Sequence, residues 1–203
     1  TPMLIACAKG RLPICAWLFE VGAAEDLSKA DDHGSTPMLW ACEDGHLEVC
    51  EWLYKMGATE DITEANNWGR TPMLVACWEG HLSVCEWLFR MGAAEDITKA
   101  DRNGFTPMLV ACWEGHLSVC EWLVKVGAAE DISKANNNGF TPMYVACWDG
   151  HLSVCEWLVK VGAAEDITKA ARKGATPMLV ACSDGHLSVC EWLFRMGAAE
   201  DIC

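Results

Sequence analysis

Residues 106–117 read Thr106-Pro107-Met108-Leu109-Val110-Ala111-Cys112-Trp113-Glu114-Gly115-His116-Leu117, and close copies of this phrase recur along the whole chain. The Thr-Pro-Met opening returns every 35 residues, at Thr1, Thr36, Thr71, Thr106, Thr141 and Thr176. A strict period of this length predicts stacked supersecondary units, because one unit alone cannot bury its apolar face. We expect a single array over residues 1–203, with repeats at 1–35, 36–70, 71–105, 106–140, 141–175 and 176–203.

The charge of the chain bears on its class of partner. Its 203 residues include 29 acidic and 15 basic side chains, which give a formal net charge of −14. Nucleic acids and anionic membranes favour a basic surface, so the sequence predicts neither as a partner and favours a basic protein or peptide. No apolar run reaches the roughly 18 residues of a membrane span, and the first residues fall inside a repeat rather than in a cleavable signal.

Cysteine usage indicates the cellular compartment. Apart from Cys203, the cysteines form two series with the period of the repeat, one from Cys7 to Cys182 and one from Cys15 to Cys190. Equivalent positions in packed helices lie about 8 to 10 Å apart, whereas a disulfide needs alpha carbons within about 7 Å. We therefore expect small, buried, reduced thiols, which are typical of an intracellular, cytoplasmic protein.

Each repeat is predicted to contain two helices, as the fourth repeat illustrates. The Thr106 hydroxyl can cap a helix whose first residue is Pro107, because the missing donor of proline is not needed there. This first helix is expected to end near Glu114. The second helix is expected to run from Leu117 to Gly127, which supplies the left-handed conformation after a helix end.

The segment after the second helix predicts a projecting loop, or finger, that ends in a turn at residues 136–139. Ile132 and its equivalents in the other repeats, Ile202 among them, are expected to hold the finger against the stack. The neighbouring Glu130-Asp131 pair is then expected to lie in solvent, as one member of a series of acidic pairs.

The repeat resembles the ankyrin repeat over all 203 residues. In the fourth repeat the resemblance is carried by Gly104, Thr106, Pro107, Met108, Ala111, Gly115, His116, Val119, Leu123, Gly127 and Ala128. Leu109 stands where the family has a histidine, and the period is 35 residues rather than about 33. The resemblance implies an all-α, ankyrin-type solenoid of stacked helix-turn-helix repeats with projecting fingers.

Three recurring residue types invite a catalytic or metal-binding interpretation that their spacing does not favour. The tryptophans equivalent to Trp122 fall within the apolar stripe of the second helix, which predicts core packing rather than a cofactor site. The histidines equivalent to His116 lack a partner cysteine pair, an HExxH arrangement or a nearby nucleophile, so we expect them to fix the turn between the helices. One Glu-Asp pair per finger does not provide the converging oxygens of a calcium site. The sequence predicts no catalytic residue, cofactor or metal.

The positions where the repeats differ in chemistry are more informative. Two residues before each Gly-His or Gly-Arg turn stand Ala8, Glu43, Trp78, Trp113, Trp148 and Ser183; before each Thr-Pro stand Ser35, Arg70, Phe105, Phe140 and Ala175. A core position would not accept alanine, glutamate and tryptophan in one array, so we expect these sites to be exposed. The ankyrin resemblance places them on a concave face that contacts partners. The predicted partner residues are Trp68, Trp78, Phe105, Trp113, Phe140 and Trp148, with Arg70, Glu79, Glu114 and Asp149 at the margin.

The sequence thus favours a non-catalytic scaffold that binds a protein or peptide on its concave face. The alternative is a structural or consensus-like engineered array without an evolved partner, since repeats three and four differ at only six of 35 positions. The terminal repeats lack polar outer faces, which predicts end-to-end self-stacking and suggests a fragment of a longer array.

Overall fold

The computed structural model describes residues 1–198 of the chain. Over that range it contains twelve α-helices and no β-strand, so the predicted all-α class is confirmed. The helices are α1 Pro2–Ala8, α2 Leu12–Glu20, α3 Pro37–Glu43, α4 Leu47–Lys55, α5 Pro72–Trp78, α6 Leu82–Met91, α7 Pro107–Trp113, α8 Leu117–Val126, α9 Pro142–Trp148, α10 Leu152–Lys160, α11 Pro177–Ser183 and α12 Leu187–Arg195. None of these helices has the length and apolar character needed to cross a membrane.

Local sequence signals determine where the helices begin and end. The Oγ1 atom of Thr106 accepts a hydrogen bond of 3.2 Å from the backbone N–H of Leu109, and Pro107 is the first residue of α7. The same threonine cap begins the first helix of every other repeat. The second helix of repeat four ends at Val126, and Gly127 follows with a φ of 121°, a conformation in which a side chain is strained. The predicted helix bounds of this repeat are therefore confirmed.

The chain divides into two compact units, Thr1–Arg102 (unit 1) and Asn103–Cys203 (unit 2). In unit 1 the first helices α1, α3 and α5 pack in succession, and α4 packs between α2 and α6. In unit 2 the helices α7, α9 and α11 pack in succession, and α10 packs on α12. Both cores are built from the same positions of the repeat, which include Met38, Met73, Met108, Met143, Leu53, Leu88, Leu123 and Leu158, all 0% exposed.

Each finger begins with a short 3-10 helix and ends in a turn held by a side chain. The 3-10 helices of the first five repeats are Ala24–Leu27, Glu60–Ile62, Ala94–Thr98, Ala129–Ser133 and Ala164–Thr168. In the fourth finger the Oδ1 atom of Asn136 accepts hydrogen bonds from the backbone N–H groups of Asn138 at 2.9 Å and Phe140 at 3.1 Å. The N–H of Asn137 donates to the carbonyl of Asn103 in the preceding finger at 3.0 Å. Backbone bonds thus join successive fingers.

The expectation that both acids of each Glu-Asp pair lie in solvent is wrong for the aspartate. Glu130 is exposed, but Asp131 is only 3% exposed because the 3-10 helix turns it toward the stack. Its Oδ1 atom pairs with Nζ of Lys134 at 3.0 Å. Burial raises the pKa of Asp131, against the opposing effect of the Lys134 ammonium. Ile97 is buried as predicted, Ile132 is partly buried, and Ile202 lies outside the described residues.

The tryptophan series of the second helices is buried only in part. Trp87, Trp157 and Trp192 are buried at 4%, 9% and 7% exposure, which confirms the predicted core role for these three. Trp52 is partly buried, with the Phe19 ring packed edge-on at 6.0 Å. Trp17 is 58% exposed, and for it the prediction is wrong. Among the described residues, α2 packs against one second helix of another repeat, α4, whereas α4 itself packs against both α2 and α6.

The histidines of the Gly-His turns join neighbouring repeats rather than fixing their own turns. His46 makes no side-chain hydrogen bond to its own helix, and its Nε2 lies 3.1 Å from the carbonyl oxygen of Ala8 in the preceding repeat. The ring also covers a glycine of that repeat, since a Cβ atom on Gly10 would lie 2.6 Å from His46 Nδ1. In unit 2, His151 covers Gly115 in the same way. These glycines are therefore required by close ring packing as well as by backbone conformation.

The two cysteine series meet inside each repeat, a relation that spacing along the array does not reveal. The Sγ atoms of Cys112 and Cys120 lie 3.5 Å apart, and equivalent pairs occur in the other repeats. Ten of the twelve thiols among residues 1–198 are buried as predicted, but Cys190 is partly exposed and Cys182 is exposed. Cys203 lies outside the described residues.

Candidate functional site

The predicted partner residues occupy equivalent places in successive repeats. Trp78, Trp113 and Trp148 are the last residues of α5, α7 and α9. The acids that follow them, Glu79, Glu114 and Asp149, cap the carboxyl ends of these helices and are exposed. Phe105 and Phe140 stand just before the capping threonines, at the bases of fingers. Helix ends and finger bases thus present the predicted residues side by side within each unit.

In unit 2 four of these residues form a continuous group of rings, Phe105, Trp113, Phe140 and Trp148, which we call the aromatic cluster. The Phe105 ring stacks on Trp113 with centroids 5.5 Å apart, and Trp113 stacks on Trp148 at 6.0 Å. Phe140 meets Trp148 edge to face at 5.6 Å. Such offset and edge-on arrangements are the favoured contacts between aromatic rings.

In unit 1 the corresponding residues surround a guanidinium group. The Cζ atom of Arg70 lies 4.6 Å from the centroid of the Trp78 ring and 5.7 Å from that of Trp68. Trp68 also contacts His33, with ring centroids 5.0 Å apart. The Nε atom of Arg70 lies 3.8 Å from Oδ2 of the buried Asp101. The arginine is therefore held between aromatic faces and a carboxylate.

At the positions where the repeats differ in chemistry, the side chains are less exposed than the sequence predicts. Trp68 is 43% exposed, but the other aromatic partner residues are partly buried because each covers a face of its neighbour. The expectation of exposure is wrong for Ser35 and Ala8, which are 2% and 8% exposed. What unit 2 presents to solvent is thus the edges and outer faces of a stacked group, bordered by the exposed carboxylates of Glu114 and Asp149.

The repeat that carries Glu43 at the tryptophan position has a different electrostatic character. Burial, followed by the negative charges of Glu79 and Asp44, raises the pKa of Glu43, while Arg70 acts in the opposite direction. Three acids gather near this helix end around one arginine. Unit 1 therefore combines negative charge with its aromatic rings.

Sequence reasoning missed a cavity of about 440 Å³ in unit 2, beside the aromatic cluster. Its walls include Phe140, Trp148 and Tyr144, and its rim includes Arg172 and Lys173. One signal was available in the sequence: Tyr144 replaces the leucine found at this position in the other five repeats.

The described residues contain no group of three or more histidine, cysteine, aspartate or glutamate side chains placed to hold a metal ion. The carboxylates of the predicted margin, Glu79, Glu114 and Asp149, belong to three separate helix ends. The arrangement is suited to contact with another chain through stacking and peripheral charge.

Two family models described as ankyrin repeats match the chain. One, for three copies, matches residues 92–170 and 127–202, and the other, for many copies, matches residues 3–53 and 38–89. Together these ranges cover nearly all of the sequence and agree with the paired helices and fingers described above. No curated protein matches the chain.

Proposed function

The chain belongs to the ankyrin-repeat family, and from this premise we propose that it is a non-enzymatic scaffold that binds a protein or peptide through the helix ends and finger bases. The aromatic cluster of unit 2 is the proposed centre of the contact. Trp68, Arg70 and Trp78 provide a separate surface of the same type within unit 1. Ankyrin repeats generally serve as interaction modules, and nothing in the side-chain arrangement requires a reaction.

The observation that carries this proposal is the stacking of Phe105, Trp113 and Trp148 at positions where the fold accepts other residues. Ala8, Glu43 and Ser183 occupy the tryptophan position elsewhere, and Ser35 and Ala175 occupy the phenylalanine position. The repeat can therefore fold without these rings. Large rings without a structural requirement favour a binding role, because aromatic anchors contribute most to interface energies.

Charge at the margin favours a partner segment with basic residues beside its apolar anchor. Glu114 and Asp149 are exposed next to the rings of Trp113 and Trp148, and the whole chain carries a net charge of −14. Rim charges of this kind mainly raise the rate of encounter and are weakened by salt. We expect association to slow at high ionic strength while the aromatic contact remains.

The proposal includes a reducing, cytoplasmic setting. Thiol pairs such as Cys112 and Cys120 are free and buried, although their sulfur atoms lie 3.5 Å apart. Proteins of oxidising compartments use closely placed cysteines as disulfides. A reduced state is therefore the simpler basis for the packing of these side chains.

Selection of linear peptides from a displayed library tests the binding function. The bait is the 203-residue chain, and the counter-selection uses a variant with Trp113→Ser and Phe105→Ser, since serine already occupies both positions in other repeats. We expect enriched peptides that bind the wild-type chain and do not bind the double variant. Peptides that bind both baits equally, or the absence of any enriched peptide, would favour the alternative of a structural array without a partner.

A stability comparison separates a binding role from a core role. Trp157 is 9% exposed, so Trp157→Ala should lower the free energy of unfolding by about 3–5 kcal/mol through lost burial and a cavity. Trp113→Ser should cost clearly less, because Trp113 is only partly buried and serine is tolerated at the same position in repeat six. If Trp113→Ser and Trp157→Ala lowered the free energy of unfolding equally, Trp113 would belong to the core and not to the proposed surface.

A further inference from the structure

The cavity beside the aromatic cluster is a partly open space between helix α9 and the fourth and fifth fingers. It has a volume of about 440 Å³ and is lined by Phe140, Tyr144 and Trp148 on one side and by residues 171–175 on the other. The Phe140 and Tyr144 rings stack with centroids 4.8 Å apart, and Tyr144 meets Trp148 edge to face at 5.9 Å. These rings form an apolar wall of suitable size for one side chain of a partner.

The finger that closes this cavity lacks the side chain that holds the other finger turns. Asp31, Asn66 and Asn136 each accept hydrogen bonds from two backbone N–H groups of their own turn. Ala171 stands at the equivalent position and has no side-chain oxygen to offer. Within residues 1–198, the N–H groups of Lys173 and Ala175 consequently have no acceptor. Both residues line the cavity.

A second polar group in the cavity also lacks a partner. Tyr144 is 3% exposed and forms no side-chain hydrogen bond among the described residues, and its hydroxyl is not sealed from solvent. Burial raises the pKa of Tyr144, which keeps the hydroxyl protonated and able to donate near neutral pH. Because the hydroxyl lines the cavity without a protein acceptor, a ligand atom there can accept its hydrogen bond in place of water.

The charge at the rim of the cavity is opposite to that of the chain as a whole. Arg172 and Lys173 line it, both side chains are exposed, and neither forms a salt bridge within residues 1–198. The equivalent pair in the preceding finger is Asn137 and Asn138. Two unpaired cations beside two backbone donors form a site for an anion, and a carboxylate matches the guanidinium fork.

We propose that this cavity binds an acidic side chain of a partner peptide together with the apolar side chain next to it. The carboxylate takes the place of the side-chain oxygen that Ala171 lacks, and accepts hydrogen bonds from the N–H groups of Lys173 and Ala175. The guanidinium of Arg172 and the ammonium of Lys173 pair with it. The apolar neighbour enters the ring-lined space, where the Tyr144 hydroxyl can donate to a peptide carbonyl. This inference rests on the proposed function and adds an acidic residue to the recognised segment.

Small capped dipeptides test the assignment directly on the 203-residue chain. The probes are acetyl-Phe-Asp amide, its neutral counterpart acetyl-Phe-Asn amide, and acetyl-Phe-Gly with a free terminal carboxylate. Each is titrated while the ¹H–¹⁵N signals of Lys173 and Ala175 are followed by NMR. We expect the Phe-Asp probe to shift both signals and to bind about tenfold more tightly than the Phe-Asn probe, because charge-assisted hydrogen bonds are the stronger ones.

Matched variants use residues that the chain itself places at equivalent positions, so they are expected to fold. Ala171→Asp restores the internal acceptor found at Asp31 and should abolish binding of the Phe-Asp probe. Arg172→Asn with Lys173→Asn should remove the preference for aspartate over asparagine, and Tyr144→Leu should weaken both probes. Glu121→Gln, on an exposed position of α8 outside the cavity, is the control and should leave binding of the probes unchanged.

Four results would overturn the inference. Two are the absence of binding by the Phe-Asp probe and its equal binding with the Phe-Asn probe. The others are unchanged binding to a folded Ala171→Asp variant and tightest binding of the free-terminus probe, which would assign the site to a chain end. If the dipeptide binds as expected but no peptide depends on Trp113, the proposed scaffold surface fails while the cavity assignment holds. If peptides depend on Trp113 and the dipeptide does not bind, only the cavity assignment fails.

Discussion

Arg70 and Asp101 form an ion pair in unit 1, with Nε and Oδ2 3.8 Å apart and the Asp101 side chain fully buried. The same two positions one repeat later hold Phe105 and Asn136. Removing the counter-ion of a buried carboxylate is costly, so Arg70→Phe alone should lower the free energy of unfolding by about 1–3 kcal/mol. Adding Asp101→Asn should recover most of this loss. Urea unfolding of both single variants and the double variant measures the coupling, and simple additivity would contradict the pairing.

A lysine three residues after the finger aspartate is missing in one repeat. Lys99, Lys134 and Lys169 lie 3.3, 3.0 and 3.1 Å from their buried aspartates, but Glu64 stands at this position after Asp61. Burial raises the pKa of Asp61, and the charges of Glu64 and Glu60 add to the rise. Glu64→Lys should therefore lower that pKa and stabilise unit 1 at neutral pH by up to about 1 kcal/mol.

The direction of the pH dependence follows from the raised pKa of Asp61. A carboxyl whose pKa is raised on folding stabilises the fold below its ordinary pKa of about 4, and this contribution is lost as the pH rises through the raised value. The gain from Glu64→Lys should thus be large at pH 7 and small at pH 3 in denaturant unfolding. Glu60→Lys makes the same change of charge without the three-residue spacing. An equal gain from that control would show that general charge, not pairing, is responsible.

Much of the fold follows from local signals that the sequence displays in every repeat. The threonine cap, the proline at the first helical position and the glycine after the second helix determine the bounds of α7 and α8 without help from distant residues. The burial of Asp131, the packing of His151 on Gly115 and the thiol pairs depend on contacts within or between stacked helices. Spacing along the chain does not specify which side chain turns inward at these places.

The candidate site was predictable in the same limited sense. The chemical variation among repeats identified Phe105, Trp113 and Trp148, but not that the rings cover one another. Predicting the cavity would have required a comparison of the repeats at two more positions, Tyr144 and Ala171. The differences at these positions look minor in sequence. Their effect appears only when the finger and the helix α9 are placed together.

Thiol reactivity should separate the last repeat from the others. Cys182 is exposed and Cys190 is partly exposed, while the remaining thiols within residues 1–198 are buried. Burial, followed by the hydrogen bond that the Cys190 thiol shares with Cys182, raises the pKa of Cys190 to about 11. Labelling with an aromatic disulfide should modify Cys182 rapidly at pH 7, and Cys190 should become reactive only as the pH approaches this value. A Cys182→Ser variant and mass spectrometry identify the sites, and rapid labelling of Cys112 in the folded chain would contradict the packing.

Exposed apolar side chains in the last repeat make self-association of the 203-residue chain testable. Leu187 is 68% exposed and Phe194 is 55% exposed, and both line an apolar depression in α11 and α12. Burial of such side chains against a second copy is favourable. We expect dimers or longer assemblies in concentrated solution that Leu187→Glu suppresses. Sedimentation velocity measures this, with Glu121→Gln on an exposed position of α8 as the control, and the same distribution in wild type and Leu187→Glu would exclude this face.

The most direct measurement of the scaffold function is the affinity of a selected peptide for the chain and for its Trp113→Ser variant, determined by fluorescence anisotropy. Glu156→Gln, on an exposed position of α10, serves as the control. Loss of an aromatic anchor costs about 2 kcal/mol or more, so the account predicts a Kd at least about 30-fold weaker for Trp113→Ser and an unchanged Kd for the control. An unchanged Kd in a folded Trp113→Ser variant would contradict the assignment of the aromatic cluster as the binding surface.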